Sequence, residues 1–345
     1  MNSIFRKTRL KEGISSRLGK FHIGSQTLLL LGIFVILVAF FGIFEESFLT
    51  IRSITSMGFQ LPEIGVLSLA MMVTILIGGI NLSVNATANL AAVMAGSFLV
   101  KFLPQAADSN LITLYIVGAI LIAILVGLIT GVINGFLVGY IGAPPILATL
   151  ATLTFFTGIS AGFTGGRTVT GFPDQFQLIG SKTLLGIPIP FLIFVAVTII
   201  VYIVLDHTTF GFKARMLGSN ETASKFSGID NKDVIMKVYI LSGIVASISG
   251  ILIMSRTMSA AYEYGTSTYV LLTILVAVLA GVESGFGNVI NVFITVLILQ
   301  ILSTGPHMLL AGVRGSSFFK DFSWGILLIM IFVINYYARG KKARE

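Results

Sequence analysis

The feature that most restricts the fold of this chain is an unbroken apolar run, LLLLGIFVILVAFFGIF at 28–44, which contains no charge and no polar amide. As a helix the run covers roughly 26 Å, close to the ~30 Å thickness of bilayer hydrocarbon. Lipid offers backbone groups no partner, so such a run must be helical, whereas barrel strands would alternate polar and apolar residues. Only 10% of the 345 residues are charged, against about 25% in soluble domains, which excludes a soluble enzyme.

Nine further apolar runs follow, and together they predict an all-α, polytopic transmembrane helical bundle of about ten spans. The nine lie at 61–80, 84–100, 111–133, 146–165, 190–206, 237–255, 268–283, 288–304 and 322–338. With the N-terminus in the cytoplasm, fifteen Lys and Arg fall in the inside segments 1–27, 207–237 and 339–345, and seven fall outside. Basic residues concentrate on the cytoplasmic side, so we expect both termini to be cytoplasmic.

The same pattern divides the chain into three parts. Residues 1–27 form a basic cytoplasmic tail, residues 28–338 a transmembrane domain with one cytoplasmic loop at 207–236, and residues 339–345 a second basic tail. A net charge of +8 would suggest nucleic-acid binding in a soluble protein. Here the basic residues belong to cytoplasmic helix ends, so we expect membrane lipid around the chain and no nucleic-acid partner.

Polar amides interrupt the membrane domain in the segment GGINLSVNATANLAAVMAG, which begins at Gly78. Asn81, Asn85 and Asn89 are spaced by four residues, so on a helix they share one face, with Ser83 beside them. Amides that face lipid are costly, and a Gly-Gly break before them is typical of solute sites in transporters. Two interpretations stay open: a solute path or gate, and helix–helix hydrogen bonding without solute contact.

The next two runs carry small and hydroxyl residues. A glycine every fourth residue forms a ridge that lets two helix backbones approach closely; the ridge is Gly127, Gly131, Gly135 and Gly139. After a double proline, Thr149 and Thr152 share one helix face. They are weaker candidates for the solute path, because threonine hydroxyls also bond back to their own helix carbonyls.

The cytoplasmic loop is too short for a catalytic domain, but it contains a helix signal. Ser219 or Asn220 can cap a short helix that Gly228 ends, and Ala223 and Phe226 lie three apart on one face. A short capped helix with one apolar side chain suits docking into a groove on another protein. The alternative is an ordinary surface helix at the lipid headgroups.

Groups for chemistry are scarce. The chain has no Cys, and its three His are far apart in sequence without ligand spacing, so a metal site is not expected. Glu63, Asp206 and Glu283 are predicted near span ends, whereas an ion-driven carrier usually needs an acid deep in the bundle. We therefore expect no catalytic residue, no metal and no cofactor, and an energy source in another protein.

In their order and spacing, these features resemble the membrane-spanning permease subunits of bacterial ABC importers for monosaccharides, the ribose-type members of a branched-chain-like permease family. The resemblance covers about residues 44–340. The motifs that carry it are FLT at 48–50, GGINLSV at 78–84, the NG…PP…LATLTF…G run from Asn134 to Gly158, TTFGFKARMLGSNETASKFSGI at 208–229 and the C-terminal SFFKDFSWGILLIMIF.

The resemblance implies a subunit that does no chemistry and forms the path for a monosaccharide or related solute in the bacterial inner membrane. It implies three kinds of partner: an ABC ATPase subunit, an extracytoplasmic solute-binding protein and a second permease chain, as homodimer or heterodimer. It also implies that the cytoplasmic block is the helix seated on the ATPase. The coupling residues would be Gly218, Asn220, Glu221, Ala223, Phe226 and Gly228.

Two departures from the family pattern keep the solute and the pairing open. The family usually has Asp after Gly-Gly-Ile, where this chain has Asn81, and a Gly-rich turn near the eighth span, where it has AGVESGFGNV at 280–289. Related permeases carry nucleosides or quorum-signal sugars. A self-sufficient secondary transporter or channel is the alternative class. A membrane-embedded enzyme is a distant third, since no intramembrane cluster offers a catalytic pair.

Overall fold

In a computed structural model of the chain, the described residues are 24–104, 107–310, 322, 324–326 and 329. They form a bundle whose helices are α1 Ser25–Phe44, α2 Ile51–Ile75, α3 Val84–Phe102, α4 Ser109–Gly139, α5 Pro145–Thr164, α6 Asp174–Ser181, α7 Ile189–Asp206, α8 Thr209–Ser219, α9 Glu221–Phe226, α10 Asn231–Thr257, α11 Thr266–Leu279 and α12 Val289–Leu309. Both predicted terminal tails, apart from residues 24–27, and most of the last predicted apolar run lie outside the described residues.

Four two-residue strands complete the described elements. β1 (Val169–Thr170) pairs antiparallel with β4 (Ser259–Ala260), and β2 (Thr183–Leu184) with β3 (Ile187–Pro188). Helix α7 runs from β3 to α8, and α10 runs from α9 to β4. The two ends of the bundle are therefore an α9 end, which carries α8 and α9, and a β4 end, which carries the strands.

The first nine predicted apolar runs each fall on a helix, which confirms the prediction of a polytopic helical bundle. Among the described helices, seven are long and apolar enough to cross a membrane: α1, α2, α4, α5, α7, α10 and α12. Helix α11 is apolar but shorter, and α3 carries the amides. The total of ten spans stays a prediction.

The boundaries of α2 differ from the predicted run at both ends. The helix begins ten residues earlier, at Ile51, because the Thr50 hydroxyl accepts a hydrogen bond from the Ser53 amide (3.3 Å) and caps the new end. Pro62 then lies inside the helix, a placement that membrane helices tolerate when neighbours satisfy the freed backbone. The helix ends at Ile75, and the chain turns at Gly78, whose φ of +82° favours glycine.

Helix α10 lies at the centre and packs against α2, α3 and α4. Small residues allow this crowding. A Cβ on Gly250 would lie 2.2 Å from the carbonyl oxygen of Ala88, and one on Gly243 would lie 2.1 Å from that of Gly127. Both neighbours are backbone atoms, which cannot move aside as a side chain can. The closest helix contacts therefore depend on the absence of side chains.

The predicted glycine ridge on α4 makes the contact with α10, and this prediction is confirmed. A Cβ built on Gly127 would lie 2.4 Å from the carbonyl oxygen of Gly243. One built on Gly131 would lie 2.6 Å from the Cα of Ile240, and one built on Gly135 would lie 2.9 Å from the Cα of Met236. At Gly139 the distance to the nearest atom, a carbonyl oxygen of α10, is 3.1 Å. The contact thus loosens toward the α9 end.

Large apolar side chains cover the outer faces of α1, α4, α5 and α7. Leu28, Leu121 and Leu147 are each more than half exposed. A soluble monomer rarely leaves contiguous apolar patches larger than a few hundred Å² open. This surface is suited to lipid or to a second membrane subunit.

The ridge yields a stability prediction. Gly131→Ala should lower the melting temperature of the detergent-solubilised protein, because its Cβ would meet backbone atoms of α10 and overpacking costs about 1–3 kcal/mol. Gly162→Ala on α5, where nothing lies within 4 Å of the built Cβ, should leave the melting temperature unchanged or raise it slightly. Equal melting temperatures for the two variants would contradict the close approach.

Candidate functional site

The turn between α2 and α3 holds the first predicted path residue. Helix α3 begins only at Val84, so Asn81 precedes it, and the predicted helical stripe of three amides is wrong at this residue. The Asn81 Oδ1 accepts from the Ser83 amide (3.1 Å) and from the Ser83 hydroxyl (2.8 Å). Asn and Asp side chains commonly bond the backbone two residues on, and this local turn begins α3.

Asn81 and Ser83 extend this turn to three neighbouring helices. On one side, the Asn81 amide donates to the Ser242 hydroxyl of α10 (3.1 Å), which donates to the Ala70 carbonyl of α2 (2.9 Å). On the other, the Asn134 amide of α4 donates to the Ser83 hydroxyl (2.8 Å). Apart from the Ala70 carbonyl, each of these groups belongs to a buried polar side chain.

Helix α5 joins through its two threonines. The Thr152 hydroxyl donates to Asn134 Oδ1 (2.6 Å), and the Thr149 hydroxyl bridges the turn, accepting from the Leu82 amide (3.1 Å) and lying 2.9 Å from the Ile80 carbonyl. We call this set the turn network: Asn81, Ser83, Asn134, Thr149, Thr152 and Ser242. Paired polar groups of this kind fix helices to one another in lipid.

Asn85 and Asn89 face a different partner, the loop 258–265, which contains β4 and leads into α11. The Asn85 amide donates to the carbonyls of Tyr264 (2.9 Å) and Thr266 (3.3 Å). The Asn89 amide donates to the carbonyls of Tyr262 (3.1 Å) and Tyr264 (2.9 Å). Two side chains of α3 thus hold the non-helical backbone before α11 and the first residue of that helix.

The oxygen of Asn85 is the exception in this arrangement. It is buried and has no hydrogen-bond partner among the described residues. A buried acceptor without a partner costs about 1–3 kcal/mol, and this acceptor lies at the contact between α3 and the loop 258–265.

Glu63 corrects the prediction that the acids lie near span ends. It stands at the middle of α2 and is 2% exposed. Its carboxylate pairs with Arg256, in the last turn of α10, and accepts from the hydroxyls of Tyr269 (3.1 Å) and Tyr264 (3.4 Å). Arg256 is one of the seven basic residues that the sequence assigns to outside segments, and it lies in the last turn of a helix. Asp206 does lie at a helix end, and Glu283 lies in the turn between α11 and α12.

Helix α9 has the predicted cap and the predicted exposed side chain. The Asn220 Oδ1 accepts from the Ala223 amide (2.9 Å), and Gly228, with φ +77°, follows the helix end. Phe226 is 89% exposed, and Ala223 is exposed on the same side. Between them Ser224 is buried and donates to Asn231 (2.9 Å), so α9 is fixed to the start of α10.

Helix α8 connects α9 to two turns at the same end of the bundle. A Cβ on Gly218 would lie 2.0 Å from the Leu76 carbonyl oxygen, at the end of α2. The Ser284 hydroxyl donates to the Gly218 carbonyl (2.6 Å), and the Gly285 amide donates to the Leu76 carbonyl (2.8 Å).

Arg215 adds an ion pair to this junction. Its guanidinium donates to the Gly287 carbonyl (2.8 Å) and pairs with Asp206 (2.6 Å). Helix α8 is thereby attached both to α7 and to the turn at 280–288.

Known proteins with similar sequences are membrane permeases. The family described as "Branched-chain amino acid transport system / permease component" matches residues 53–334. The Ribose import permease protein RbsC of Bacillus subtilis is 33% identical over 94% of both chains, and that of Haemophilus influenzae is 29% identical over 94% of this chain and 97% of its own. The Autoinducer 2 import system permease protein LsrD of Yersinia enterocolitica is 27% identical over 89% of this chain and 90% of its own. No solved structure matches the chain.

The chain belongs to this permease family. The resemblance to ribose-type ABC importer permeases is therefore confirmed, and the chain is a multi-pass membrane protein. The permease is a transport subunit rather than an enzyme, which sets aside a membrane-embedded enzyme.

The permease brings together two sets of residues that sequence analysis left apart. Asn81, Ser83, Thr149 and Thr152 meet in one network, while Asn85 and Asn89 reach the loop 258–265. The sequence did not predict the following residues as members of a site: Asn134, Ser242, Glu63, Arg256, Tyr264 and Tyr269. One signal was available: a lone acid inside a predicted span requires an opposite charge, and Arg256 lies at the end of a predicted span.

The turn network yields a second prediction. In the permease, Asn134→Leu should lower the free energy of unfolding by about 1–3 kcal/mol, since the Ser83 and Thr152 hydroxyls lose a buried partner. Thr154→Val is the matched control, because its exposed hydroxyl bonds only to its own helix (3.3 Å). Thermal denaturation in detergent measures both, and equal stabilities would contradict the network.

Proposed function

We propose that two permease chains form the translocation path for a monosaccharide across the bacterial inner membrane. Separate ABC ATPase subunits would drive the movement, and an extracytoplasmic solute-binding protein would deliver the solute. The names of the relatives support this solute class, since two are ribose permeases and one is an autoinducer 2 permease. Nucleosides and quorum-signal sugars are the related alternatives, and the second chain is either a copy or a homologous permease.

The proposed topology has ten spans and both termini in the cytoplasm. The nine described helices that carry a predicted apolar run leave the last crossing to the apolar run 322–338, which leads into the basic segment 339–345. The α9 end then faces the cytoplasm and the β4 end the outside. The domain limits are those of the sequence, with 28–338 as the membrane domain, 207–236 as its cytoplasmic loop and 1–27 as the first tail.

The proposal rests on the exposure and the attachment of α8 and α9. A six-residue helix presents Phe226 to solvent, although an isolated helix of this length would not be stable. The Asn220 cap and the contact of Ser224 with Asn231 hold it in place. We assign the ATPase contact to Glu221, Ala223 and Phe226, with Gly218, Asn220 and Gly228 shaping the segment.

The contacts of α8 suggest how force would reach the membrane. A push on α9 would act through Gly218 on the Leu76 carbonyl and on the turn at 280–288. Leu76 begins the turn that holds Asn81. The turn network would transmit the push to α3, whose amides hold the loop 258–265. We therefore assign Asn85 and Asn89 to the gate, which they form with the loop 258–265. We assign Asn81, Ser83, Thr149 and Thr152 to the contacts that transmit movement to this gate.

A self-sufficient carrier or channel is the second candidate class, and the buried Glu63 is the observation that favours it. However, Arg256 already neutralises this carboxylate, and an ion-coupling acid must exchange its partner in each cycle. The chain alone should therefore transport nothing under an ion gradient.

The ATPase contact yields a third prediction. Phe226→Ala should reduce solute-stimulated ATPase activity of the purified importer about thirtyfold, because truncating an aromatic hot spot costs about 2 kcal/mol. Phe44→Ala removes another exposed phenylalanine, 62% against 89% for Phe226, at the opposite end of the bundle and should have no effect. Unaltered stimulation in the Phe226 variant would remove α9 from the coupling surface.

The gate yields a fourth prediction. Asn85→Leu should lower sugar uptake per ATP hydrolysed by about tenfold, because the Tyr264 carbonyl loses one of its two amide donors, the Thr266 carbonyl loses the Asn85 amide, and the closed arrangement weakens by about 1–3 kcal/mol. Assembly should persist, as judged by size-exclusion chromatography. Asn110→Leu, an exposed residue in the first turn of α4, is the control. Normal uptake with Asn85→Leu would return the amide to a purely structural role.

A further inference from the structure

A groove of about 480 Å³ lies on the outside of the bundle, between the end of α3 and the first half of α4. Its described walls are apolar and aromatic side chains, together with one glycine. They include Phe98, Phe102, Leu114, Tyr115, Gly118 and Leu121. Two of these, Leu114 and Leu121, are each more than half exposed, so the groove opens away from the bundle, toward lipid.

The shape of the groove follows from three aromatic rings and a missing side chain. The Phe98 ring stacks on Tyr115 with 5.6 Å between the ring centroids, and it lies 5.6 Å from the Phe102 ring. Offset rings at this separation attract one another beyond the area that they bury. A Cβ on Gly118 would already lie 3.3 Å from the Phe98 ring, so a larger side chain there would fill part of the groove.

The groove has the length of one lipid leaflet. Its lining on α4 extends from Leu111 to Leu121, and ten helical residues cover about 15 Å. Half of the ~30 Å bilayer hydrocarbon is also about 15 Å. The groove begins at the β4 end of the bundle, where α3 ends and α4 begins. An acyl chain lying in it would therefore start at the headgroups and end near the middle of the membrane.

A cation lies at the headgroup end of the groove. Lys101 is exposed in the last turn of α3, and its Nζ is 5.7 Å from the centroid of the Phe102 ring. It forms no salt bridge with any residue that the structure describes. A helix C-terminus favours a cation, but this preference does not account for an apolar groove beneath it. Lysines near the ends of membrane helices reach the headgroup level, where lipid phosphates lie.

A second permease chain is the other candidate occupant of a lipid-facing groove. The cores of protein interfaces pack as densely as protein interiors and are depleted of lysine. A groove of this volume beside Lys101 has neither property. A flexible acyl chain with a phosphate at one end matches both the apolar walls and the charge.

The headgroup must provide the selectivity of such a site. Lipid tails are as apolar as leucine side chains, so a tail gains little hydrophobic free energy when it leaves the bilayer for the groove. The attraction between the Lys101 ammonium and a phosphate remains. A lipid with net negative charge benefits from it most, because the choline of a zwitterionic lipid opposes the attraction.

We propose that this groove binds one anionic phospholipid from the leaflet at the β4 end. One acyl chain lies along Phe98, Gly118 and Leu121, and the phosphate contacts Lys101. The inference depends on the insertion of the chain in a membrane, and it requires neither the solute nor the ATPase.

The affinity test uses the complete chain, purified in detergent, with phosphatidylglycerol as the probe and native mass spectrometry as the readout. Lys101→Gln should weaken binding of the first phosphatidylglycerol about fivefold, which corresponds to the ~1 kcal/mol that one lysine contributes near anionic lipid. Lys101→Arg should keep the affinity. Arg52→Gln, which removes an exposed cation from α2 at the same end, is the control. Equal affinities of the unaltered protein and Lys101→Gln would overturn the proposal.

A quenching test locates the lipid. The chain has no cysteine, so Leu114→Cys carries the only bimane label, in nanodiscs of phosphatidylcholine that contain a small share of lipid with brominated tails. Brominated phosphatidylglycerol should quench this label more than brominated phosphatidylcholine does. The difference should disappear when Lys101→Gln or Gly118→Leu is added. Phe163→Cys, an exposed position of α5 near the same end, should show equal quenching by both lipids.

Two results of the quenching test would contradict the proposed site. Equal quenching at Leu114→Cys by the two brominated lipids would show that the groove does not select an anionic lipid. Protection of Leu114→Cys from both lipids in the assembled importer would place a second protein chain on the groove. Either result would overturn the proposal.

Discussion

Polar groups that lie within the bilayer must find partners in the protein, because lipid provides none. This constraint organises the permease. The turn network satisfies the break between α2 and α3, the amides of Asn85 and Asn89 satisfy the non-helical loop before α11, and Arg256 satisfies Glu63. The glycine contact between α4 and α10 brings the helices close enough for these short side chains to meet.

The same contacts that stabilise the bundle also connect its two ends. Helix α8 touches the end of α2, the turn network begins a few residues later, and α3 continues to the loop 258–265 at the opposite end. Such a series of packed groups with discrete hydrogen bonds can carry a movement, provided that it has a second arrangement. The buried oxygen of Asn85, which has no partner among the described residues, lies at the contact between α3 and the loop 258–265.

Local patterns predicted the helices, the glycine ridge and the capped helix in the loop, because hydropathy, small-residue spacing and capping act over a few residues. Pairings across the fold were not predictable in the same way. The meeting of Asn134 with Ser83, and of Glu63 with Arg256, depends on how helices far apart in sequence pack. The four-residue spacing of the asparagines also placed Asn81 wrongly on a helix. The spacing continues from the turn after Gly78 into α3, which begins only at Val84.

The proposed coupling requires that α9 faces the cytoplasm, where a nucleotide-hydrolysing partner can bind it. Lys225→Cys places the chain's single thiol on the exposed face of α9, and Leu185→Cys, at a site that is 97% exposed, places it at the β4 end. With a membrane-impermeant maleimide, Leu185→Cys should react in spheroplasts, and Lys225→Cys should react only in inverted vesicles stripped of ATPase. Labelling of Lys225→Cys in sealed spheroplasts would contradict the account.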